Sequence, residues 1–241
     1  MKKLAITTLS FSVLALCASQ VSAANVTVNT SSYSDATTYM SWSTSAYTAA
    51  NFPGDGGTGA GGWSLAALPA VISGANVTIS PNVNTYAPGV GYWTNPDGTG
   101  ANQMDAAVYT ETTGLYVNTS VTFSFDVLAN TLAASALGGG YTADAFIKDF
   151  GPGFAYNGES TVPLTVGNDS VTYALTGNNP GEIVQYGFEL IGPDANPATV
   201  AGLGSVVIGP AAVPEPASVA LLLAGLGMVG GLARRRAARQ A

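Results

Sequence analysis

The sequence is poor in the side chains that carry most enzyme chemistry. It has no histidine and a single cysteine, Cys17, among 241 residues. A serine–histidine or cysteine–histidine nucleophile pair is therefore excluded, and so is a zinc site built from the usual ligands. Because one cysteine cannot form a disulfide within the chain, the fold must be stabilised by its hydrophobic core.

Positive charge is also scarce. The chain has seven Lys and Arg residues against fourteen Asp and Glu. Between residues 24 and 216 all fourteen acids are present with one basic residue, Lys148, which gives this region a formal charge of −13. Phosphate binding requires clusters of basic residues, so we expect no nucleic-acid partner. An anionic membrane surface is disfavoured for the same reason.

The N-terminus has the order of a secretory signal peptide. Two lysines precede an apolar run over residues 4–18, and small residues suitable for signal peptidase follow at 21–23. This pattern predicts a removable signal helix over residues 1–23 and makes the Sec translocon and signal peptidase partners of the precursor. Lipidation of Cys17 is the alternative, but Leu16 stands where that pathway requires a small residue.

The C-terminus carries a second apolar segment. Residues 217–233 have no charge, and a helix of that length reaches roughly 25 Å, near the lower limit for crossing a bilayer. A basic tail, residues 234–241, follows immediately. By the positive-inside rule this tail predicts a transmembrane helix with its C-terminus in the cytoplasm. The topology residues are Arg234, Arg235, Arg236 and Arg239.

A short proline-rich motif precedes the apolar segment. Val213, Pro214, Glu215 and Pro216 end a predicted linker over residues 209–216. This motif, followed by an apolar helix and an arginine cluster, resembles the PEP-CTERM sorting signal of exported proteins of Gram-negative bacteria. The resemblance implies processing by exosortase, a membrane-embedded sorting enzyme. It implies an inner-membrane-anchored precursor and a product at the cell surface or in the extracellular matrix.

The region between the two ends shows the two-residue period of β-strands. Residues 121–127 alternate apolar and polar side chains without interruption, and no long helical stripe occurs before residue 217. We therefore predict that residues 24–208 form one all-β domain, an antiparallel β-sandwich of jelly-roll type. The predicted strands are 25–30, 38–43, 76–80, 106–112, 121–127, 143–150, 161–166, 170–175, 183–191 and 205–208.

Glycine and acidic residues mark the predicted loops. The stretch 54–62 reads as a flexible surface loop, within a less ordered lead-in that extends to about residue 62. No phosphate-binding motif follows its glycines. Asp55, Asp97, Asp169 and Asp194 sit in turn-like settings that suit calcium, although no EF-hand spacing is present. We expect no cofactor, with a structural calcium ion as the open alternative.

Catalysis has little support in the sequence. A pair of carboxylates can hydrolyse a glycoside, and Asp105, Glu111 and Asp126 are conceivable members of such a pair. Spacing along the chain does not show that any two of them converge. We therefore expect a protein that is not an enzyme and assign no catalytic residue.

Aromatic residues suggest a binding function. Trp63, Tyr92 and Trp93 lie in loop-like segments, and exposed rings stack on the apolar faces of sugars. The stretches 91–98 and 103–105 loosely resemble galactose-binding-like jelly rolls used as carbohydrate-binding modules. The competing interpretation is that these rings fill the core. Three functions therefore stand: a non-catalytic surface or matrix protein sorted by exosortase, a module that binds exopolysaccharide, and a secreted glycoside hydrolase.

Overall fold

The chain folds into β-strands. The computed structural model describes residues 25–30, 36–43, 59–62, 64–65, 67–84, 86, 91, 93–116, 119–132, 140–175 and 181–212. Over these ranges it contains no α-helix, and Val200–Leu203 forms a 3-10 turn, so the all-β prediction is confirmed. The strands are β1 Asn25–Asn29, β2 Thr37–Ser43, β3 Gly59–Gly62, β4 Ala70–Ser73, β5 Asn76–Ile79, β6 Gln103–Thr113, β7 Ser120–Asn130, β8 Thr142–Gly151, β9 Ala155–Pro163, β10 Gly167–Ala174, β11 Ile183–Pro193 and β12 Val206–Pro210.

The first sheet, called sheet A, is built around β7. Its main order is β1-β7-β12-β5-β4, and β10 also pairs with β7. Strand β10 takes one edge of β7, whereas β1 and β12 share the other edge end to end. A register shift between Val207 and Ile208 marks a bulge where β12 meets β7. The eleven residues of β7 therefore organise three strands that are distant in sequence.

The second sheet, called sheet B, has the order β3-β2-β6-β11-β8-β9, and all its pairs are antiparallel. Its central strand β11 is buried along almost its whole length, on both faces. Such continuous burial requires apolar residues on one face and well-paired polar residues on the other. The even-numbered residues from Val184 to Leu190 supply the apolar face.

Apolar side chains from both sheets meet in one hydrophobic cluster. Phe123 of β7 lies 5.1 Å from Phe188 and 5.4 Å from Tyr186, both on β11, measured between ring centroids. The period-two prediction for β7 is confirmed, because its four inward side chains are at most 1% exposed. Those residues are Val121, Phe123, Phe125 and Val127.

Three expectations for the N-terminal part are wrong. The glycine-rich stretch 54–62 is not wholly a loop, because Gly59–Gly62 forms β3 and pairs with Tyr39–Trp42 of β2. The lead-in is also not without regular structure, because the strands predicted over residues 25–30 and 38–43 are present as β1 and β2, each paired to a central strand. Strand β1 also runs parallel to β7, so the domain is not purely antiparallel. Glycine gives no alternation of side chains, so the sequence pattern could not reveal β3.

The strand bounds differ from the predicted ones near the end of the domain. Strand β9 covers Ala155–Pro163 instead of residues 161–166. Strand β12 continues through Gly209 to Pro210, although the linker was expected to begin at residue 209. The short strand β4 was not predicted at all. These differences lie at strand ends, where backbone pairing decides the boundary and side-chain pattern carries little information.

Candidate functional site

The C-terminal strand β12 is held in the domain by burial of its side chains and by pairing on both edges. Val206 and Ile208 of β12 are fully buried in the hydrophobic cluster, while Val207 between them is half-buried. The strand pairs with β5 on one side and β7 on the other, with Pro210 opposite Phe125. Proline is tolerated there because a strand end does not need its missing N–H. The last strand of the described chain, β12, is therefore an interior strand of sheet A.

The last described residue is fixed to a neighbouring strand. The backbone N–H of Ala212 donates a hydrogen bond of 3.0 Å to Oδ1 of Asn168, at the start of β10. Gly209 is closely packed, since a Cβ there would lie 3.0 Å from Oδ1 of Asn76 and 3.2 Å from Cδ1 of Leu128. The described part of the chain thus extends to the residue that directly precedes Val213 of the proline-rich motif.

The face of sheet B turned away from the shared cluster carries buried charges. Nζ of Lys148 on β8 lies 2.9 Å from Oε2 of Glu189 on β11, and the two side chains are 2% and 1% exposed. The ammonium group also sits 4.4 Å from the ring centroid of Phe146. Gln185 of β11 is the register partner of Lys148, and its Nε2 donates a hydrogen bond of 2.9 Å to Oε2 of Glu111. The only basic residue of the exported region is therefore part of the interior.

Aromatic rings flank a glycine on the same face. Gly187 of β11 stands in register between Tyr109 of β6 and Phe146 of β8. The two rings make an edge-on contact with centroids 6.3 Å apart. A Cβ at Gly187 would collide with the carbonyl oxygen of Val108 and with Tyr109. Glycine is required here because the neighbouring backbone and ring occupy the space of a side chain.

Asp144 on β8 lies close to Glu189, one member of the buried ion pair. Burial, followed by the nearby negative charge of Glu189, raises the pKa of Asp144 to about 6. Glu189 is opposite Asp144 in register, and Lys148 lies on the same strand. Between about pH 4 and pH 6 the folded state therefore holds a proton that the unfolded chain has released.

We expect the Asp144 carboxyl to make stability fall as pH rises through this window and to have no further effect above it. Asp144→Asn should flatten the slope and raise the free energy of unfolding at pH 7.5 by about 1–2 kcal/mol. Urea denaturation at pH 4.5, 5.5 and 7.5 measures both effects. Equal slopes for the variant and the wild type would show that Asp144 titrates normally in the fold.

The predicted aromatic site is only partly covered by the structure. Trp93 is half-buried and packs against Leu68 and Met104. Trp63 and Tyr92 lie outside the described residues. The geometry at Trp93 agrees with the competing interpretation, in which the ring contributes to a small apolar cluster.

A small cavity lies beside the turn that follows Trp93. Its lining includes Thr99, Tyr141, Asp194 and Asn196, and its volume is about 40 Å³. Burial, followed by the charge of Asp194, raises the pKa of Tyr141 to about 12. A cavity of this size accommodates a few waters and is too small to enclose a sugar ring.

Two exposed rings that the sequence pattern did not indicate lie at the β8–β9 turn. Phe154 is 57% exposed and Tyr156 is 42% exposed. Both contact the buried ring of Phe150, at centroid distances of 5.9 and 5.8 Å. Phe154 adopts the left-handed backbone conformation, with φ of 62°, which a bulky residue rarely does. The only sequence signal was the flanking Gly-Pro-Gly, residues 151–153.

The structure does not bring the candidate catalytic carboxylates together. Asp105 and Glu111 lie on one strand, six residues and thus roughly 20 Å apart. Asp126 belongs to the other sheet. Glycosidase carboxylates lie about 5–10 Å apart, so these three residues do not form such a pair.

The turn aspartates proposed for calcium are also dispersed. Asp97 accepts hydrogen bonds from the backbone and hydroxyl of Thr99, which hold the pKa of its carboxyl below the usual range. Asp169 accepts from the N–H of Ser170, and Asp194 lines the small cavity. Asp55 lies outside the described residues. Within the ranges described, no group of three or more Asp, Glu, His or Cys residues is placed to hold a metal.

Comparison with known protein families decides the nature of the C-terminal segment. A family model described as the PEP-CTERM protein-sorting motif matches residues 212–237. The chain carries a PEP-CTERM sorting motif. The match begins at the residue that is bonded to Asn168, so the sorting signal starts where the described fold ends. No significant match was found among curated proteins or among solved structures.

The PEP-CTERM motif implies an exported protein that exosortase processes. Its residues Val213, Pro214, Glu215 and Pro216 and the four arginines lie outside the described part of the chain, as do the predicted signal peptide and apolar segment. Among the helices that the structure does describe, none is long and apolar enough to cross a membrane.

Proposed function

We propose that this protein is a non-catalytic component of the cell surface or extracellular matrix, delivered there by exosortase. The observation that supports this most is the PEP-CTERM motif, which begins at Ala212, two residues after the end of β12. A sorting enzyme that cuts near Pro214–Pro216 releases the two sheets with all the described strands intact. Proline disfavours helices and central strands, so the Pro-Glu-Pro sequence favours recognition by an enzyme that binds an extended segment.

The precursor passes through a membrane-anchored stage. The Sec translocon exports the chain, and signal peptidase leaves Ala24 as the N-terminus. Residues 217–233 then hold the protein in the inner membrane, with the arginines on the cytoplasmic side. The agreement between an exported N-terminus and a cytoplasmic C-terminal tail supports this topology, since both require residues 24–216 outside the cytoplasm.

The exported domain serves a structural role in this proposal. The short ring distances between β7 and β11 support a β-sandwich, in which the two sheets enclose the shared hydrophobic cluster. The jelly-roll connection stays a prediction. Absence of histidine from the whole chain and the separation of Asp105 from Glu111 favour a non-catalytic role.

Fractionation of a producing host tests the proposal. Without exosortase, the full-length precursor should accumulate in the inner membrane. With exosortase, a shorter form should appear at the surface or in the medium. A protein that stays full-length and membrane-bound in both hosts would instead be a plain single-span anchor protein.

Association with exopolysaccharide is a second candidate, favoured by Phe154 and Tyr156. The two exposed rings share the support of Phe150, and aromatic faces of this kind stack on sugars. The strained backbone of Phe154 adds weight, because a left-handed bulky residue persists where function selects it. We therefore propose the β8–β9 turn, and not Trp93, as the contact for this second candidate function.

Replacement of Phe154 by glycine separates stability from binding. Phe154→Gly should raise the free energy of unfolding by about 0.5–1 kcal/mol, because glycine adopts the positive φ without strain. The same variant should migrate faster than the wild type in gels that contain the host exopolysaccharide. Leu115→Ala is the control, since Leu115 is a 65% exposed apolar residue without an aromatic ring. If the wild type and both variants were retarded equally, the hypothesis that polysaccharide binds at this turn would be contradicted.

A further inference from the structure

Two carboxylates, one on β8 and one directly before β11, are buried side by side. Asp149 on β8 is fully buried, and Glu182, directly before β11, is 1% exposed. Val184 is the register partner of Asp149, so Glu182 lies diagonally across from it on the same face of the sheet. Within the described parts of the chain, none of their four carboxylate oxygens has a hydrogen-bond partner that satisfies normal geometry.

The two carboxylates are close enough for Asp149 to be affected by the charge of Glu182. Burial, followed by this charge, raises the pKa of Asp149 to about 6. Burying two adjacent carboxylates in their charged form costs free energy unless a positive charge lies between them. Lys148, the only basic residue between 24 and 216, is bonded to Glu189 on the opposite face of β8.

Two neutral polar side chains, Asn157 and Tyr173, lie beside the carboxylates of Asp149 and Glu182. The amide of Asn157 on β9 lies next to the carboxyl of Asp149. The hydroxyl of Tyr173 on β10 lies over Gly158, and its pKa is raised by burial and then by the charges of Asp149 and Glu182. Tyr173 belongs to sheet A, whereas the two carboxylates and Asn157 belong to sheet B. The group therefore bridges the two sheets.

We propose that Asp149 and Glu182 bind a calcium ion that links the two sheets, with oxygen atoms of Asn157 and Tyr173 beside it. Hard oxygen ligands, two of them anionic, are the set that Ca²⁺ prefers, and water completes its shell of six to eight ligands. Both carboxylates are at most 1% exposed, which leaves no surface on which a substrate could bind. The site is independent of sorting and differs from all four turn aspartates considered for calcium.

Thermal unfolding of the full chain, purified in mild detergent, tests the site. Calcium sites of extracellular modules have dissociation constants of about 0.1–1 mM. At pH 7.5, raising CaCl₂ to 10 mM should therefore raise the Tm of the wild type by about 3–10 °C over its value in EDTA. Tb³⁺ should bind in place of Ca²⁺ and luminesce on excitation of tyrosine, because Tyr173 adjoins the site.

Charge-neutral variants distinguish a built site from general screening of an acidic protein. Asp149→Asn and Glu182→Gln should melt at or above the wild-type Tm in EDTA, because repulsion is relieved, yet neither should respond to Ca²⁺ or sensitise Tb³⁺. Asp169→Asn removes one charge outside the site and should respond as the wild type does. A calcium shift of equal size in Asp149→Asn, Glu182→Gln and the wild type would overturn the proposal. So would a wild-type Tm that is the same in CaCl₂ and EDTA, since the pair would then be held by a shared proton.

Discussion

Glu215→Ala is expected to leave the protein as a full-length, membrane-bound precursor in a host that has exosortase. The change removes the charged centre of the Pro-Glu-Pro triplet, which we propose the sorting enzyme recognises. It leaves the apolar segment 217–233 and the arginines unchanged, so membrane insertion should be normal. Fractionation followed by immunoblotting measures both properties. Asp97→Ala, which removes an exposed acid from a turn of the domain, should be processed as the wild type is.

Replacement of the four arginines by alanine should fail differently. The cytoplasmic charge bias then disappears, so orientation and retention in the membrane weaken while the triplet stays intact. We expect part of this variant to leak through the membrane or to insert poorly, without accumulation of a stable precursor. If the arginine variant and Glu215→Ala gave the same precursor, the triplet and the arginines would not have separate roles. The residues changed are Arg234, Arg235, Arg236 and Arg239.

Lys148→Met is expected to be the most destabilising single substitution in the domain. It leaves Glu189 buried beside Asp144 without the 2.9 Å ammonium contact. Breaking a buried ion pair by removing one partner costs about 3–5 kcal/mol. For a domain of this size the Tm should fall by roughly 6–20 °C, measured by differential scanning fluorimetry.

The double variant Lys148→Met with Glu189→Leu supplies the control. Replacing both charges by apolar residues of similar size removes the unpaired carboxylate, so most of the lost stability should return. A double variant that is less stable than Lys148→Met would show that Lys148 acts mainly through packing of its chain. A Lys148→Met protein that melts within a degree of the wild type would contradict a buried ion pair altogether.

The sequence correctly predicted the strands that have one apolar face and one polar face. Residues 121–127 alternate strictly, and β7 buries the four predicted side chains. Strands β3 and β4 were missed because Gly59–Gly62 has no side-chain pattern and Ala70–Ser73 is too short for one. The parallel pairing of β1 with β7 joins segments far apart in the chain, and local patterns contain no information about such pairing.

Local reasoning succeeded for the sorting signal and failed for the buried polar groups. Recognition of the signal depends on contiguous residues, so 213–216 could be identified directly. Lys148 and Glu189, like Asp149 and Glu182, are distant in sequence and meet only because β8 pairs with β11. A charged residue is by default expected at the surface, so nothing in the sequence marked these four as buried.

The mass of the exported protein tests the central claim most directly. The protein should be isolated from the surface or medium of an exosortase-positive host and analysed intact and after proteolysis. The account predicts a chain that begins at Ala24, contains β12 with Val206–Pro210, and lacks residues 217–241. Recovery of the peptide that contains the four arginines, attached to the exported protein in that host, would contradict exosortase processing.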